Sequence, residues 1–465
     1  MGPRSSGVAE QVVTAAERTE MLDRLDDLLR LARARGAVEA DAFMVEEELQ
    51  TVQVRLGSVE SLKHARENRC SLRIFTESGS ASATTADLSP GALARLVDES
   101  VRLAKVARRD EHSGLPVREA LAGPVPDLDL WDAEGHQMGL EEKIDRARRA
   151  EAAALEADAR VRNSEGAEFY DRQGSVAYAS SRGFTGGFRF SSFALSVTPV
   201  VSDDGHMERD YWYTSARHLA DLESPEKVGR EAARRAVRRL GARKGPTVEV
   251  PVVFDPETAA SLVRSLAVAA SGPSLYRGTS FLIGQHGQSV ASSCVTIVDD
   301  PTMLQGLGSR PFDGEGLPSR RTVMVDRGVL TSYLLDTYSA RRLGLTATGH
   351  AAREDGGGVT VGYTNLYLAP GTWAPQEIVR SVDRGLFVTE LIGFGVNFAT
   401  GDYSRGAVGF WIEGGELTYP VEEITIAGNL RQMLQDVEMV GEDLAFRDQT
   451  AAPTLKISRL TVAGQ

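Results

Sequence analysis

Apolar residues recur at helical spacing in the first patterned stretch of the chain. Leu22, Leu25, Leu28, Leu29 and Ala32 share one face, and Gly36 supplies a stop. β-prone runs follow over residues 40–48, 51–56 and 69–76, the last ending in Glu77-Ser78-Gly79. Pro90 stands at the start of a second helix whose apolar side is Leu93, Leu96, Val97, Val101 and Leu103. Residues 110–137 hold Pro, Gly and Asp with no sustained period and are expected to form a long connection. An Ala-rich helix is expected over 140–159. From 161 to 216, short β-prone pieces separated by Gly, Asn and Asp predict an antiparallel meander. An arginine-rich helix over 225–240 precedes GARKGP at 241–246, where Gly and Pro mark a boundary between folding units.

The second half changes texture. After VEVPVVFD at 248–255 and a helix over 257–270, it becomes dense in strands punctuated by glycine. Asp326-Arg327-Gly328 and Glu413-Gly414-Gly415 each sit between alternating apolar residues, a hairpin signature. Two short helices are expected at 339–343 and 375–385, and no repeat of fixed period is present. The fold class expected is α+β: N-terminal helices packed on an antiparallel sheet, then a C-terminal mostly-β domain with few helices. The domain expectation is a flexible N-terminus over 1–18, an α+β domain over 19–243 and a β-rich domain over 244–465.

Composition narrows the function classes. The chain has 465 residues, too many for one ordinary core, and its 42% hydrophobic and 25% charged content suits a globular protein. A net charge of -13 sets the chain against nucleic acid or an anionic membrane as main partner. The N-terminus lacks the apolar segment of a secretory signal, and no apolar run is long enough to cross a bilayer. Cys70 and Cys294 each stand alone in a β-like stretch and are expected to be buried free thiols in a reducing compartment. The expected location is the cytoplasm.

Candidate chemistry is sparse. Zinc sites usually draw two ligands from nearby positions, and no HExxH, paired histidines at that spacing or CxxC occurs. His64, His112, His136, His206, His218, His286 and His350 are scattered, so each is expected to be an ordinary surface or hydrogen-bonded residue. No GxSxG elbow or phosphate-binding loop is found, and Gly306-Leu307-Gly308 lacks the strand–turn–helix context that a phosphate cradle needs. Asp299-Asp300 and Asp313-Gly314-Glu315 are expected to form backbone turns. Arg230, Arg234, Arg235, Arg238, Arg239 and Arg243 are expected to make a solvated positive face opposite Val228, Ala232, Ala233, Val237 and Leu240.

Longer blocks carry more. RGTSFLIGQHGQSVAS, SRPFDGEGLPSRRTVMVDRGVL, LLDTYSARRLGL and TELIGFGVNFATGDYSRGAVGFWIE, spread from about 277 to 464, resemble the TldD/PmbA family, in wording closest to its TldE (PmbA) branch. In that family, TldD-like members carry a zinc-binding HExxxH on a helix before the GTS block, with a further ligand near the C-terminus. Counting back from Gly278-Thr279-Ser280, the matching stretch here is 263–268, VRSLAV. It has neither histidine nor glutamate. Near the C-terminus, DLAFRDQTAAP passes directly into TLKISRL, without the Gly/Cys-containing insertion of TldD-like chains.

The resemblance therefore implies no catalytic and no metal residue in this chain, with zinc held by a TldD-like partner in a heterodimer or larger complex. It also implies a peptide substrate, and a homodimer is a further option. A peptide paired to an exposed strand edge is expected at 391–411, through Phe394, Gly395, Val396, Asn397 and Phe398. Two other readings stand beside this one. The first is a stand-alone peptide-binding or scaffold protein; the second is an independent hydrolase with a dispersed site that includes His286 or His350.

Overall fold

The computed structural model describes residues 7–464, with side chains from Glu20 onward; what was expected of residues 1–6 lies outside the described residues. The first helix, α1 (Gly7–Ala34), begins well before Thr19. The next two elements are one long hairpin, β1 (Glu39–Arg55) and β2 (Ser58–Phe75), turning on Leu56 and Gly57, both at positive φ. The sequence expectation broke β1 in two and missed residues 58–68. Their charged side chains carry no apolar alternation, because this half of β2 has no strand on its outer side among the described residues.

β3 (Ser80–Thr85) and α2 (Pro90–Val106) follow, then the long connection, α3 (Leu140–Ala157), β4 (Val161–Ser180) and β5 (Thr185–Asp203). The unit is completed by β6 (His206–Arg209), β7 (Trp212–Ala216) and α4 (Pro225–Val237). The sheet order is β3-β2-β1-β4-β5, with β6 and β7 both paired to β5. Same-face residues explain the helices. Ala42 and Met44 pack with Leu25, Leu28, Leu96 and Val97 of α1 and α2, while Val52, Phe169 and Leu195 pack with Ala147, Ala150, Ala232 and Ala233 of α3 and α4. Gly229 lets α4 close on α3, since a Cβ there would stand 2.2 Å from the Ala150 carbonyl. The opposite face is covered by the long connection, whose Leu128 and Leu130 pack on Val45, Val176 and Phe190.

The C-terminal half starts with β8 (Arg243–Lys244), β9 (Val248–Phe254), α5 (Pro256–Ala269) and α6 (Gly272–Tyr276). β10 (Ile297–Asp299), β11 (Thr322–Asp326), β12 (Val329–Leu330), α7 (Thr337–Leu343), β13 (Ala351–Arg353), β14 (Val359–Val361) and β15 (Leu366–Leu368) come next. The chain ends with α8 (Pro375–Arg380), β16 (Arg384–Ile392), β17 (Asp402–Glu413), β18 (Glu416–Asn429), α9 (Leu430–Gln435), β19 (Val437–Val440), β20 (Thr450–Ala451) and β21 (Leu455–Ala463). β9, β16, β17, β18 and β21 pair in a ring, so the sheet closes into a barrel and leaves no edge within the ring. Leu386, Val388, Trp411, Ile426 and Ile457 of this barrel share one apolar core with Leu262, Val263 and Leu266 of α5. The expected α+β class is the one observed.

Both predicted hairpins form, at Arg327-Gly328 and Gly414-Gly415, with positive φ at all four residues. The helix expected over 375–385 stops at Arg380, because Arg384 already begins a barrel strand. Cys70 is buried and its thiol is pushed up to about 12 by burial. Cys294 is exposed, against expectation: it lies in a turn before β10 rather than in the strand. Among the described residues no helix is long and apolar enough to cross a membrane.

Candidate functional site

α5 is held at its start by Asp255, whose carboxylate accepts the Thr258 N–H at 2.9 Å and the Thr258 hydroxyl at 2.8 Å. Residues 263–268 form its last turns. Val263, Leu266 and Ala267 point into the barrel core, Arg264 reaches toward Asp448 at 3.9 Å, and Val268 is exposed. Where α5 ends, the Ser280 hydroxyl donates to Ala269 O at 2.6 Å, and the next residue, Phe281, donates its N–H to Phe398 O at 2.8 Å. The loop that joins β16 to β17 is thereby tied to the end of α5.

This loop holds all five residues expected to meet a peptide, but it is not an edge strand. β17 is paired on both sides, and β16 pairs β17 along its length and β9 over 386–388. The loop itself is what projects. Phe394 is fully exposed, at 107%, and Ile392 beside it is exposed too. Val396 and Phe398 turn back against the barrel core. Asn397 organises the turn: its N–H donates to Asp402 O at 2.8 Å, its side-chain oxygen accepts from Ala399 N at 3.0 Å, and its carbonyl accepts from Gly401 N at 2.7 Å. Gly395 has no room for a side chain, since a Cβ would lie 1.5 Å from Ser404 O.

The histidines are dispersed. His350 is buried between the Thr348 hydroxyl, at 2.8 Å, and Asp299, at 3.2 Å. His286 donates its ring Nε2–H to Thr331 O at 3.0 Å. Of the remaining five, three meet separate partners: His64 meets Glu48, His136 meets Gln173, and His218 meets Asp129. Among the described residues no group of three or more His, Cys, Asp or Glu side chains is arranged to hold a metal ion.

Family models cover most of the chain in three consecutive pieces: the PmbA/TldA metallopeptidase domain 1 over residues 40–104, the central domain over 134–240 and the C-terminal domain over 247–464. The chain belongs to the PmbA/TldD family. It is 39% identical over 415 residues to the metalloprotease PmbA of Escherichia coli O157:H7, covering 89% of this chain and 90% of that one. Its fold is similar to that of a putative modulator of DNA gyrase from Bacteroides thetaiotaomicron, with a TM-score of 0.88, 26% identity and coverage of 95% and 98%. TldE from Thermococcus kodakarensis shares the fold with a TM-score of 0.86 at 22% identity, covering 95% of this chain and all of that one.

Zinc does not fit the position that PmbA/TldD family resemblance assigns to it. The final turns of α5 present Val, Arg, Ser, Leu and Ala side chains, none of which is a zinc ligand of the imidazole, thiolate or carboxylate type.

Two charge networks at the junction of the halves were misjudged from sequence. The arginine helix does not present one solvated face. Arg230 and Arg234 are exposed, but Arg235 is buried against Asp210 at 3.4 Å and Asp255 at 4.0 Å, with its guanidinium over Trp212. Arg239 is also buried and meets Glu390 of β16 at 2.6 Å. Arg238 lies over Phe410, and burial holds its guanidinium down to about 10. These arginines clamp α4 to the barrel and α5. Burial also pushes the Asp255 carboxyl up to about 6.

The second network contains Glu315, expected only in a turn. Asp313 does make that turn, accepting from Glu315 N and Leu317 N at 2.9 Å each. Glu315 instead reaches Arg73 of β2 at 2.9 Å, and Arg73 also makes a two-point contact with Asp41 of β1 at 2.9 and 2.6 Å. Arg353 of β13 donates to the same Asp41 carboxylate at 2.7 Å, and the Tyr178 hydroxyl joins at 3.1 Å. Likewise Asp299, beside the Asx turn of Asp300, is buried and accepts two bonds from Thr364 at 2.6 Å. Sequence alone offered no signal for these pairs, whose members lie up to about three hundred positions apart.

Proposed function

We propose that this chain is the non-catalytic, TldE/PmbA-like subunit of a TldD/TldE-type zinc metallopeptidase complex that acts on small or unfolded peptides in the cytoplasm. The observation that carries the reading is the composition of α5. A family helix that keeps its place against the barrel while carrying VRSLAV has kept a structural role without ligands for the ion. Zinc then belongs to a TldD-like partner, and this chain contributes walls to a shared cavity. In this reading residues 19–243 form one unit and 244–465 the other, and the loop with Phe394, Gly395, Val396, Asn397 and Phe398 faces the peptide or the partner. A fully exposed aromatic side chain on a loop pinned by hydrogen bonds supports that role, because little entropy is lost when it is buried in a complex.

The test is zinc content, measured on the purified chain alone and after co-expression with a TldD-like partner. Zinc in the co-purified complex only, with peptide cleavage confined to it, is the expected result. Stoichiometric zinc in the isolated chain would overturn the proposal. A peptide-binding protein that acts alone would instead bind peptides without a partner and show no cleavage in either sample.

A further inference from the structure

α6 is tied to the last turn of α5. The Ser271 and Ser274 hydroxyls each donate to Val268 O at 2.8 Å, and Thr279 N donates to Ser274 O at 2.9 Å. On its other side α6 packs against α7, since a Cβ on Gly272 would stand 2.2 Å from the Ser339 hydroxyl oxygen. Asp336 caps α7 by accepting the Ser339 N–H at 2.9 Å. Tyr276, the last residue of α6, is thereby fixed, and its ring meets the Tyr338 ring edge to face with the centroids 5.7 Å apart. A ring already held in place loses little entropy when a ligand settles beside it.

Two guanidinium groups lean on this ring. The Cζ of Arg277 lies 5.6 Å from its centre, and the Cζ of Arg342, in the last turn of α7, lies 5.3 Å from it. Both arginines are exposed. Among the described residues neither side chain forms an ion pair or donates a hydrogen bond. Asp110 is within electrostatic reach of Arg342, but its oxygens accept from the Tyr338 hydroxyl at 2.8 Å and from the His112 N–H at 3.0 Å. Arg341, one position earlier, is fully engaged by contrast, donating to His112 O at 3.2 Å and to Leu115 O at 2.6 Å. A helix C-terminus favours a cation, which accounts for an arginine at 342 but not for its place beside a second one. Two like charges held at one ring repel each other, and an anion between them removes the repulsion. In a chain with 65 Asp and Glu against 52 Lys and Arg, carboxylates to pair them are not scarce, yet none is placed there.

We propose that Arg277 and Arg342 form a carboxylate-binding site that receives an acidic group of the peptide, either its free C-terminus or an aspartate or glutamate side chain. Guanidinium suits this ligand because it presents parallel N–H donors that match the two oxygens of a carboxylate. Contact with a ring face consumes none of those donors. The site stands where α5 ends, four residues before Phe281, whose N–H holds the β16–β17 loop. It therefore rests on the reading of this chain as a subunit of a peptidase complex, and it adds a preference for peptides that carry a carboxylate.

Isothermal titration of the whole chain, alone and co-purified with a TldD-like partner, tests this with three probes. They are an acetylated hexapeptide of alanine and leucine with a free C-terminal carboxylate, the same peptide amidated, and the amidated peptide with one alanine replaced by glutamate. At least one charged peptide should bind about tenfold more tightly than the neutral amide, as a charge-assisted hydrogen bond gives. A margin for the free acid alone identifies the terminus as the ligand, and a margin for the glutamate peptide alone identifies the side chain. Arg277→Gln/Arg342→Gln, checked for folding by thermal melting, should lose this margin and keep its affinity for the amide. In the parent chain the margin should also shrink several-fold between about 0.05 and 0.5 M salt, a measurement that decides alone if the double variant does not fold. No binding of either charged peptide, equal affinities for all three, a margin that survives in the folded variant, or one insensitive to salt would each overturn the proposal. Cleavage by the co-purified complex is scored separately: its absence for every peptide counts against the subunit reading and leaves the binding result standing.

Discussion

Arg353 has a side chain only 2% exposed and shares the fully buried Asp41 carboxylate with Arg73. Removing one member of such a group leaves a charge buried and uncompensated, which costs more than the assembled group contributes. Arg353→Met should therefore lower unfolding free energy by about 3–5 kcal/mol in urea titrations. Burial on its own would raise the Asp41 carboxyl, but Arg353 and Arg73 hold it below its ordinary value. Its contribution is thus present above the unfolded value near 3.8 and is lost as pH falls through the lower folded value. Asp255 and Asp313 act in the other direction. Burial raises both to about 6, aided at Asp313 by Glu315, so between pH 4 and 6 the folded chain binds protons that the unfolded chain has released. Stability should fall as pH rises through that window. Asp255→Asn keeps an oxygen for the Thr258 N–H, and its melting temperature should fall less steeply between pH 4 and 6 than that of the parent.

At the scale of elements, the loop from β16 to β17 separates what is needed for folding from what is displayed. Phe394 touches solvent only, so Phe394→Ala should change stability by no more than about 0.5 kcal/mol while weakening association with a TldD-like partner or a peptide in pull-down and titration experiments. Gly395→Ala should do the opposite first: a Cβ there meets the Ser404 carbonyl, and the loop must shift, seen as lost protection of the Ser404 amide in hydrogen exchange. Hairpins and helix starts were legible in the sequence because turn residues and caps act over four positions. Arg327-Gly328, Gly414-Gly415 and the proline-led helices α2, α4 and α5 are examples. The charged half of β2 was not legible, since its strand conformation comes from pairing with β1 and from no pattern of its own.

Across the whole molecule, the two halves are joined by buried contacts rather than by a linker alone. Arg217 donates to Gly306 O at 3.2 Å and to Ser191 O at 3.0 Å, bridging the sheet and the glycine-rich loop, and burial holds its guanidinium down to about 10. Tyr213 donates to Glu257 of α5 at 3.0 Å, and Arg239 reaches the barrel. With the Asp41 network these contacts couple the halves, so calorimetry should record one unfolding transition, and Arg239→Met should separate it into two or broaden it.

The sequence by itself determined the local elements and the α+β class. Its long C-terminal blocks also carried the family, and its VRSLAV stretch the absence of zinc ligands on α5. These are properties of neighbouring residues, of periodicity and of residue type. Only the tertiary structure decided that β9, β16, β17, β18 and β21 close a barrel, that half of the arginine helix is buried, and that Glu315 leaves its turn to meet Arg73. It alone brought Arg342 to the Tyr276 ring beside Arg277. The physical reason is the same throughout. A buried charge or a strand edge is satisfied by a partner in space, and partners dozens to hundreds of residues away leave no periodic trace in the chain.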